Sequence, residues 1–439
     1  MTSGRPRDRS HVAAVRSREE LLYLLSRAAE LEHGLACVYL YAAHSLKSDA
    51  AEGGLTEGEA ETVRGWKRRI AGVAVEEMLH LAQVLNMLTA IGGAPHVRRT
   101  NFPVPPSQFA FGIGLTLEPF SPETADRLVC YEMPETGILP PERESAYAAL
   151  RSSVAAPADA AGTRSGPPRV TCEPYDIDFT TVGEFYHKIG TGFSTIHERE
   201  LFIGPPSAQA NARYLDFDGE LIAVVDRASA LAAIEMIVEQ GEAPTQEHPD
   251  AHFLVFDGIR TEFAAARELA AREGRTFAPV RPVVSNPAPP FFAGIAGTTP
   301  ISDPAACAAA DLFNVSYDTM LLMMLRFFAH TEESDGELQL LSRATLRFMT
   351  GVLRPLGEAL TKMPAGPSAP GKTAGPGFGY NRDLDLLPHK TSAWTFFGER
   401  LRTLARAAGV LGKRPHLPPE VAQASETLAA LAAEFAPTA

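Results

Sequence analysis

Residues 73–95 read VAVEEMLHLAQVLNMLTAIGGAP, and this stretch decides the predicted fold class. It has the pattern of the second half of a long helix that opens near Thr56 and closes at Gly92, with Pro95 blocking any continuation. Every third or fourth residue along the helix belongs to one apolar stripe, and Glu77 and His80 lie at its centre. Because a buried carboxylate is costly unless something pairs with it, this stripe predicts a partner for Glu77.

Two interpretations of the Glu77 and His80 pair remain open from this helix alone. The first is a core histidine that is hydrogen-bonded to a glutamate one turn earlier. The second is half of a dimetal site, because a four-helix bundle can place a Glu on each of two helices and a Glu-x-x-His on each of the other two. The other helices must therefore decide between a structural pair and a metal site.

A second apolar stripe with one carboxylate at its middle precedes this helix. Ser17 and Glu20 form a capping-box pattern that predicts a helix over residues 17–46, and Glu32 lies within its stripe. The stripe contains no Lys or Arg that could pair with Glu32. Since a short link joins the two helices, we expect an antiparallel pair in which Glu32, Glu77 and His80 meet at one level. These three side chains are predicted metal ligands.

Two further helices, from residue 181 onward and over residues 221–242, predict the other half of the site. Glu184 stands in the first turn of the third helix, where it is either a cap paired with Thr181 or a ligand. Glu242 ends the fourth helix and continues its apolar line, which Glu239 flanks, and His252 follows a short loop. An antiparallel arrangement would bring Glu184, Glu242 and His252 together.

The remaining chain suggests three parts. Residues 1–16 are predicted to be a flexible tail, residues 17–258 a dimetal helical bundle, and residues 259–439 a C-terminal helical extension packed on it. Within the bundle, residues 96–180 are rich in Pro and Gly and contain extended segments, so they predict a long crossover with some strand. A Met and aromatic cluster at residues 317–328 is most simply part of the core, although it could also shape a substrate path between bundle and extension.

Composition excludes several classes of protein. The hydrophobic fraction of 45% and charged fraction of 21% are typical of a soluble globular chain. Fifty-three acidic against forty basic residues give a net charge of -13, which argues against nucleic-acid binding. We expect no signal peptide and no membrane span, because the N-terminus is charged and apolar runs are short. Four widely spaced cysteines predict reduced thiols and a cytoplasmic location.

Several segments together resemble a known family. LEHGLACVYLYAA at residues 31–43, EEMLHLAQVLNMLTAIGGAP at 76–95, TVGEFYHKI at 181–189, and IVEQGEA at 237–243 followed by HF at 252–253 are similar to the ferritin-like domain of the iminophenyl-pyruvate dimer synthase family. YDTMLLMMLRFF, AGPGFGYNRDL and AWTFFGERL resemble that family's C-terminal part. The resemblance runs from about residue 17 to 411, and this family is known from violacein-type bisindole biosynthesis. The additional region of the long coupling enzymes is expected to be absent.

The resemblance implies a mainly α fold, a ferritin-like four-helix bundle with a long crossover and additional C-terminal helices. It implies a carboxylate-bridged dimetal site. The matching ligand positions are Glu32, Glu77, His80, Glu184, Glu242 and His252, and the family pattern leaves Glu239 as a substitute for Glu242. Glu and His ligands suit two iron ions, or alternatively manganese, and O2 or peroxide is the expected co-substrate.

Three functions from different classes compete at this stage. The leading hypothesis is a non-haem di-iron or dimanganese oxidase or oxygenase that acts on a small, amino-acid-derived metabolite in natural-product biosynthesis. The alternatives are a protein that handles metal or peroxide without an organic substrate, and a metal-free helical scaffold. A small-molecule substrate is the expected partner, while a homo-oligomer and a redox partner remain open.

Overall fold

Helices dominate the architecture in the computed structural model, which describes residues 14–109, 112–135, 137–155, 179–242, 250–292, 294–380 and 387–435. The helices in chain order are α1 (Arg18–Ser45), α2 (Glu57–Ala90), α3 (Pro122–Tyr131), α4 (Pro141–Val154), α5 (Val182–Thr195), α6 (Glu198–Leu201), α7 (Arg227–Glu242), α8 (His252–Arg272), α9 (Pro304–Phe328), α10 (Asp335–Phe348), α11 (Arg354–Leu360), α12 (Lys390–Leu411) and α13 (Glu420–Glu434). A π-helical turn, Met349–Leu353, joins α10 to α11. Strands β1 (Pro287–Ala288) and β2 (Thr299–Pro300) pair in parallel.

The first two long helices form the predicted antiparallel pair. Their starts are set as the sequence predicts, since Ser17 caps α1 and a reciprocal capping box of Thr56 and Glu59 opens α2. Arg18, at the start of α1, donates to the carbonyl of Ile91 just beyond the end of α2, over 2.6 Å. Their apolar faces are buried together, which places the middle of α1 beside the second half of α2.

Helices α5 and α7 complete a four-helix arrangement, and α3 packs on α8 beside it. Arg227, the first residue of α7, donates to the carbonyls of Phe193 and Ile196 at the end of α5, so this pair is also antiparallel. The prediction that α7 starts at residue 221 is wrong. Asp226 accepts from the amide of Ser229, and the Ser229 hydroxyl accepts from the amide of Asp226, so the helix begins after this local cap.

The crossover differs from its prediction because its described parts contain helices α3 and α4 instead of strand. Ser121 caps α3 by accepting from the amide of Thr124, and Pro122 occupies the first helical position. In the described part of residues 96–180, the extended run forms one isolated antiparallel bridge, between Val104 and Leu115. A short helix started by a cap and a proline therefore replaces the expected irregular segment.

The C-terminal helices contact the bundle through charged and polar side chains. Glu358 on α11 lies 2.7 Å from Lys67 Nζ on α2 and 2.9 Å from Arg281 Nη1. The boundary predicted after residue 258 falls inside α8, which runs without interruption over His252–Arg272. Most of the predicted tail, residues 1–13, lies outside the described residues.

Two further sequence expectations can be compared with the described residues. None of the helices there combines the length and the apolar character needed to cross a membrane. The three cysteines in the described ranges, Cys37, Cys130 and Cys307, are free thiols, while Cys172 lies outside those ranges.

A buried ion pair stabilises the C-terminal helices and gives a first testable prediction. Arg326 contacts Glu333 through Nε at 2.6 Å and Nη2 at 2.7 Å, with both side chains buried. Because Glu333→Gln leaves a buried guanidinium without its charged partner, we expect the free energy of unfolding at pH 7 to fall by about 3 kcal/mol. Urea denaturation measures this loss.

The control for this prediction is Glu434→Gln, which breaks the half-exposed pair with Arg347 and should cost less than about 1 kcal/mol. Burial alone would raise the pKa of Glu333, but the hydrogen bonds and charge of Arg326, together with hydrogen bonds from the Thr331 amide and Trp394, lower the pKa from 4.5 to about 2. A lowered carboxyl pKa adds stability above its unfolded value and loses it as pH falls. The difference between wild type and Glu333→Gln should therefore shrink between pH 4.5 and pH 2, and equal losses for both variants at pH 7 would contradict the prediction.

Candidate metal centre

Six buried acidic and imidazole side chains converge where α1, α2, α3, α7 and α8 meet. Glu32 lies in the middle of α1, and Glu77 and His80 lie one turn apart on α2. Glu132 is the C-cap of α3, Glu242 ends α7, and His252 begins α8. All six are at most 3% exposed: Glu32, Glu77, His80, Glu132, Glu242 and His252.

The first of two donor groups consists of Glu32, Glu77 and His80. One atom from each lies within 4.8 Å of the other two. His80 Nδ1 is 3.2 Å from Glu77 Oε2 and 3.5 Å from Glu32 Oε2. The three ligands predicted for the first half of the site are therefore close enough to share one ion.

The second donor group consists of Glu77, Glu132 and His252, and it also lies within 4.8 Å. His252 Nδ1 is 3.0 Å from Glu77 Oε1 and 3.6 Å from Glu132 Oε2. Glu77 thus directs Oε2 to the first group and Oε1 to the second. A carboxylate shared in this way between two Glu and His groups has the arrangement of a bridging ligand.

The hydrogen bonding of the buried atoms tests whether this donor set fits a pair of cations. Glu77 Oε1, His252 Nδ1 and Glu242 Oε2 are buried without a hydrogen-bond partner. The first two lie only 3.0 Å apart, yet they do not meet the geometry of a hydrogen bond. Buried polar atoms normally have partners, so three such atoms at one cluster fit ligands that face a metal. Carboxylate and imidazole donors suit iron and manganese.

Electrostatics also favours positive charge at this cluster. Burial, reinforced by the charge of Glu77, raises the pKa of Glu32 to about 7, and burial raises that of Glu242 to about 8. Burial alone would lower the pKa of His80, but hydrogen bonds to Glu32 and Glu77 raise it to about 10. Burial would also lower the pKa of His252, but the charge of Glu77 together with hydrogen bonds to Glu132, Glu76 and Glu77 raises it well above its usual range. Protons balance the carboxylates here, and divalent cations could replace them.

Each histidine is oriented by an acceptor on its far nitrogen. His80 Nε2 lies 2.9 Å from Gln240 Oε1, and Glu220 fixes that amide by accepting from Gln240 Nε2. His252 Nε2 lies 2.8 Å from Glu76 Oε2. An acceptor at Nε2 keeps the proton there in a neutral ring and leaves the Nδ1 lone pair directed at the cluster, as in metal-binding histidines.

The α5 and α7 side of the cluster combines two glycines with larger residues, among them Tyr186 and Ile237. A cavity of about 10 Å³ lies beside the donors and is lined on this side by Gly183, Gly241, Val182 and Val238. This is about the volume that a single water needs. The amide of Gly183 donates to Glu242 Oε1 over 2.6 Å, which holds that carboxylate at the start of α5.

The close approach of Gly183 gives a second prediction. A Cβ at this position would lie 2.3 Å from Glu242 Oε2, so Gly183→Ala must displace the carboxylate. Because partners that orient ligands are typically worth 10–100-fold in metal affinity, we expect affinity to fall by at least about ten-fold. Titration with Co²⁺, followed by calorimetry, measures this change.

Gly190→Ala on the same helix is the matched control, since its Cβ would make ordinary contacts at 3.7 Å with Leu231 and 3.8 Å with Ile234. This control should leave cobalt affinity unchanged. Equal affinities for Gly183→Ala and wild type would show that Glu242 takes no part in binding.

The structure does not bring Glu184 to the cluster, in contrast to the arrangement predicted from the sequence. Its Oε2 accepts from the amide of Thr180 over 2.7 Å and from the Thr180 hydroxyl over 2.6 Å, while its own amide is capped by Thr181. Neighbouring Gly183 faces the cluster, so Glu184 points elsewhere around the helix. Its role as a helix cap, the other interpretation of the sequence, agrees with this geometry.

The other predicted positions lie within the cluster, although His252 has different neighbours from those expected. Glu32, Glu77, His80 and Glu242 line the cavity, and His252 contacts Glu77 and Glu132 instead of Glu184. Glu239, the alternative to Glu242, is exposed. Metal binding by these side chains stays a prediction.

Sequence reasoning missed Glu132, because it belongs to a segment interpreted as irregular crossover. A signal was present, since Ala125, Leu128 and Val129 form an apolar line that Glu132 continues at helical spacing. The cavity also differs from the predicted substrate path, because its lining comes from α1, α2, α3, α5 and α7. Met320 and Met323 of the C-terminal cluster are buried in the core.

Comparison with known proteins agrees with this fold and with the resemblance drawn from the sequence. A curated dichlorochromopyrrolate synthase from Lentzea aerocolonigenes is 28% identical over 426 residues, covering 90% of this chain and 39% of that protein. A 2-imino-3-(indol-3-yl)propanoate dimerase from Chromobacterium violaceum is 29% identical over 384 residues, covering 83% of this chain and 34% of that protein. The chain thus spans less than two fifths of the length of either relative.

Among solved structures, a ferritin like protein from Caulobacter vibrioides matches with a TM-score of 0.43 and 19% identity, covering 75% of this chain and 96% of that one. A family model described as Ferritin-like matches residues 25–261, which is more than half of the chain and contains all the clustered acidic and imidazole residues. The chain belongs to the ferritin-like family.

Proposed function

We propose that the protein is a dimetal oxidase or oxygenase that uses O2 or peroxide to oxidise a small, amino-acid-derived metabolite in natural-product biosynthesis. The observation that carries this proposal is Glu77, whose two oxygens face two separate Glu and His groups. Two iron ions, or two manganese ions, bound there would supply the redox chemistry of the reaction.

Different side chains of the cluster would bind the two ions. Glu32 and His80 would hold one ion, Glu132 and His252 would hold the other, and Glu77 would bind both. Glu242 keeps one oxygen on the amide of Gly183 and one oxygen without a partner. We propose that this unpaired oxygen adjusts when a small molecule approaches.

Water is kept away from this cluster by the surrounding residues. Leu35, Val182 and Ile237 line the cavity with aliphatic carbon, and the cavity itself holds about one water. A dry, shaped cavity is what the protein contributes to metal-assisted oxidation, since it protects reactive species from hydrolysis.

The proposed substrate class is inferred from the compounds for which the two relatives are named. The dimerase from Chromobacterium violaceum is named for an indole-bearing 2-imino acid, and the second relative is named for a dichlorinated chromopyrrolate. We propose that this chain takes a 2-imino, 2-oxo or 2-amino acid with an apolar side chain. In this proposal, the organic molecule approaches from the α5 and α7 side, where Gly183 and Gly241 line the cavity.

A second candidate function is peroxide or metal handling without an organic substrate. The cavity of about 10 Å³ favours it, because this volume fits only a molecule of the size of water, dioxygen or peroxide. In that case, the bound ions would react with the oxidant alone, and addition of an organic acid would change nothing.

The test combines iron loading under anaerobic conditions with exposure to O2 and, separately, to peroxide. Reactions are run with tryptophan, its 2-oxo acid and its 2-imino acid, the last prepared beforehand by an amino-acid oxidase that is then filtered off. The primary proposal predicts that one of these acids is consumed, with a mass change of two hydrogens or one oxygen, together with the oxidant.

Glu239→Gln, which changes an exposed residue on α7, is the control and should behave as wild type. Oxidant consumption that is the same with and without every acid would favour the second candidate. Iron-loaded protein that reacts with neither O2 nor peroxide would contradict both.

A further inference from the structure

Two buried tyrosines occupy corresponding positions on the two sides of the cluster. Tyr186 on α5 donates its hydroxyl hydrogen to Glu32 Oε1 over 2.6 Å. Tyr39 on α1 donates in the same way to Glu132 Oε1. Both tyrosines are fully buried, so water does not compete for these hydrogen bonds.

The hydrogen bonds select which oxygen of each carboxylate faces the cluster. Glu32 keeps Oε2 toward His80, at 3.5 Å, and Glu132 keeps Oε2 toward His252, at 3.6 Å. In both groups, therefore, one carboxylate oxygen is taken by a tyrosine and the other faces the histidine nitrogen. The same division on opposite sides, made by tyrosines from different helices, indicates a shared requirement of the site.

We propose that Tyr39 and Tyr186 are positioning residues that limit Glu132 and Glu32 to one ligand oxygen each. This inference rests on the proposed function. A carboxylate that binds through both oxygens fills two coordination positions, whereas one that binds through a single oxygen fills one. With ions bound, the tyrosines would thereby leave a coordination position on each ion for a small oxidant or an anion of similar size.

Removal of either tyrosine hydroxyl should release one carboxylate oxygen. In Tyr186→Phe or Tyr39→Phe, the ring still fills its space, but the released oxygen loses its hydrogen-bond partner in a buried site. An unpaired buried carboxylate oxygen is costly, so it turns toward the nearest cation. In each variant, the ion beside the released carboxylate would then gain a protein ligand and lose its free position, while the other ion would be unchanged.

Cobalt(II) with azide as a small anionic probe can detect this change without any measurement of turnover. Cobalt absorbs visible light more strongly when five-coordinate than when six-coordinate, because the higher symmetry weakens its d–d bands. We expect Tyr39→Phe and Tyr186→Phe each to keep about two cobalt ions per chain, to absorb about two-fold less at the affected ion, and to bind azide about ten-fold more weakly at that ion, with the other ion as in wild type.

Tyr41→Phe is the matched control, since Tyr41 is a buried tyrosine on the same helix as Tyr39 and donates to the carbonyl of Val284, away from the cluster. This variant should match wild type in absorption and azide affinity. Phenylalanine variants at 39 and 186 that also match wild type, or that lose cobalt while remaining folded, would overturn the inference alone. A wild-type chain that takes up no cobalt would overturn the proposed function and this inference with it.

Discussion

Glu77→Gln is expected to abolish stoichiometric metal binding, from about two ions per chain to fewer than about 0.2, because Glu77 belongs to both donor groups. The neutral amide keeps nearly the same volume and can still hydrogen-bond to the histidines. The large core around the cluster should therefore keep the variant folded. Elemental analysis after anaerobic loading and desalting measures the loss, and circular dichroism checks the helices.

The melting temperature gives an independent measurement of the loss of metal binding in Glu77→Gln. Ligands that bind only the folded state raise the melting temperature, so iron should stabilise wild type but not Glu77→Gln. Glu61→Gln, on the exposed face of the same helix, is the control and should keep both metal content and thermal shift. Full metal loading of Glu77→Gln would remove this residue from the bridging position.

Glu132→Gln and Glu184→Gln are expected to have opposite consequences, and the comparison tests where the second half of the site lies. Glu132 faces His252 and is buried, so its replacement should weaken metal binding by about 100-fold or more at one of the two positions. Glu184 only caps α5 through Thr180, so its replacement should cost roughly 0.5–2 kcal/mol of stability and leave metal loading intact.

Metal titration and urea denaturation of the same two variants separate these effects. Metal loss in Glu184→Gln with normal loading in Glu132→Gln would mean that the sequence-derived arrangement is right and the structural one wrong.

The first half of the site could be predicted because its signals are local. Glu32, Glu77 and His80 lie deep within two long helices whose caps and apolar stripes are unambiguous in the sequence. A short connection then allows one pairing of the two helices. The carboxylate in the middle of the α1 stripe is conspicuous, because that stripe contains no Lys or Arg that could pair with Glu32.

The second half could be predicted only in part because its partners come from distant segments. Glu184 has the same sequence signature as a cap and as a ligand, and only the rotation of α5 decides between them. Glu132 follows a helix of ten residues inside the crossover, where local signals are weak. His252 was found, but its neighbours depend on the packing of α3 against α8, which no local pattern specifies.

The role of the two tyrosines could not be predicted from the sequence, for a related reason. Tyr39 and Tyr186 occupy ordinary apolar positions of their helices, and a tyrosine there is consistent with simple core packing. Their role depends on hydroxyl groups meeting carboxylates that lie 93 and 154 residues away along the chain. Such long-range contacts require the complete fold.

The most direct test of the central claim is diffraction from crystals of the iron-loaded protein, measured on both sides of the iron absorption edge. Two anomalous peaks are predicted, one between Glu32 and His80 and the other between Glu132 and His252, with Glu77 contacting both. Crystals of the loaded protein that show no anomalous peak among these residues would contradict the assignment of this cluster as a dimetal centre.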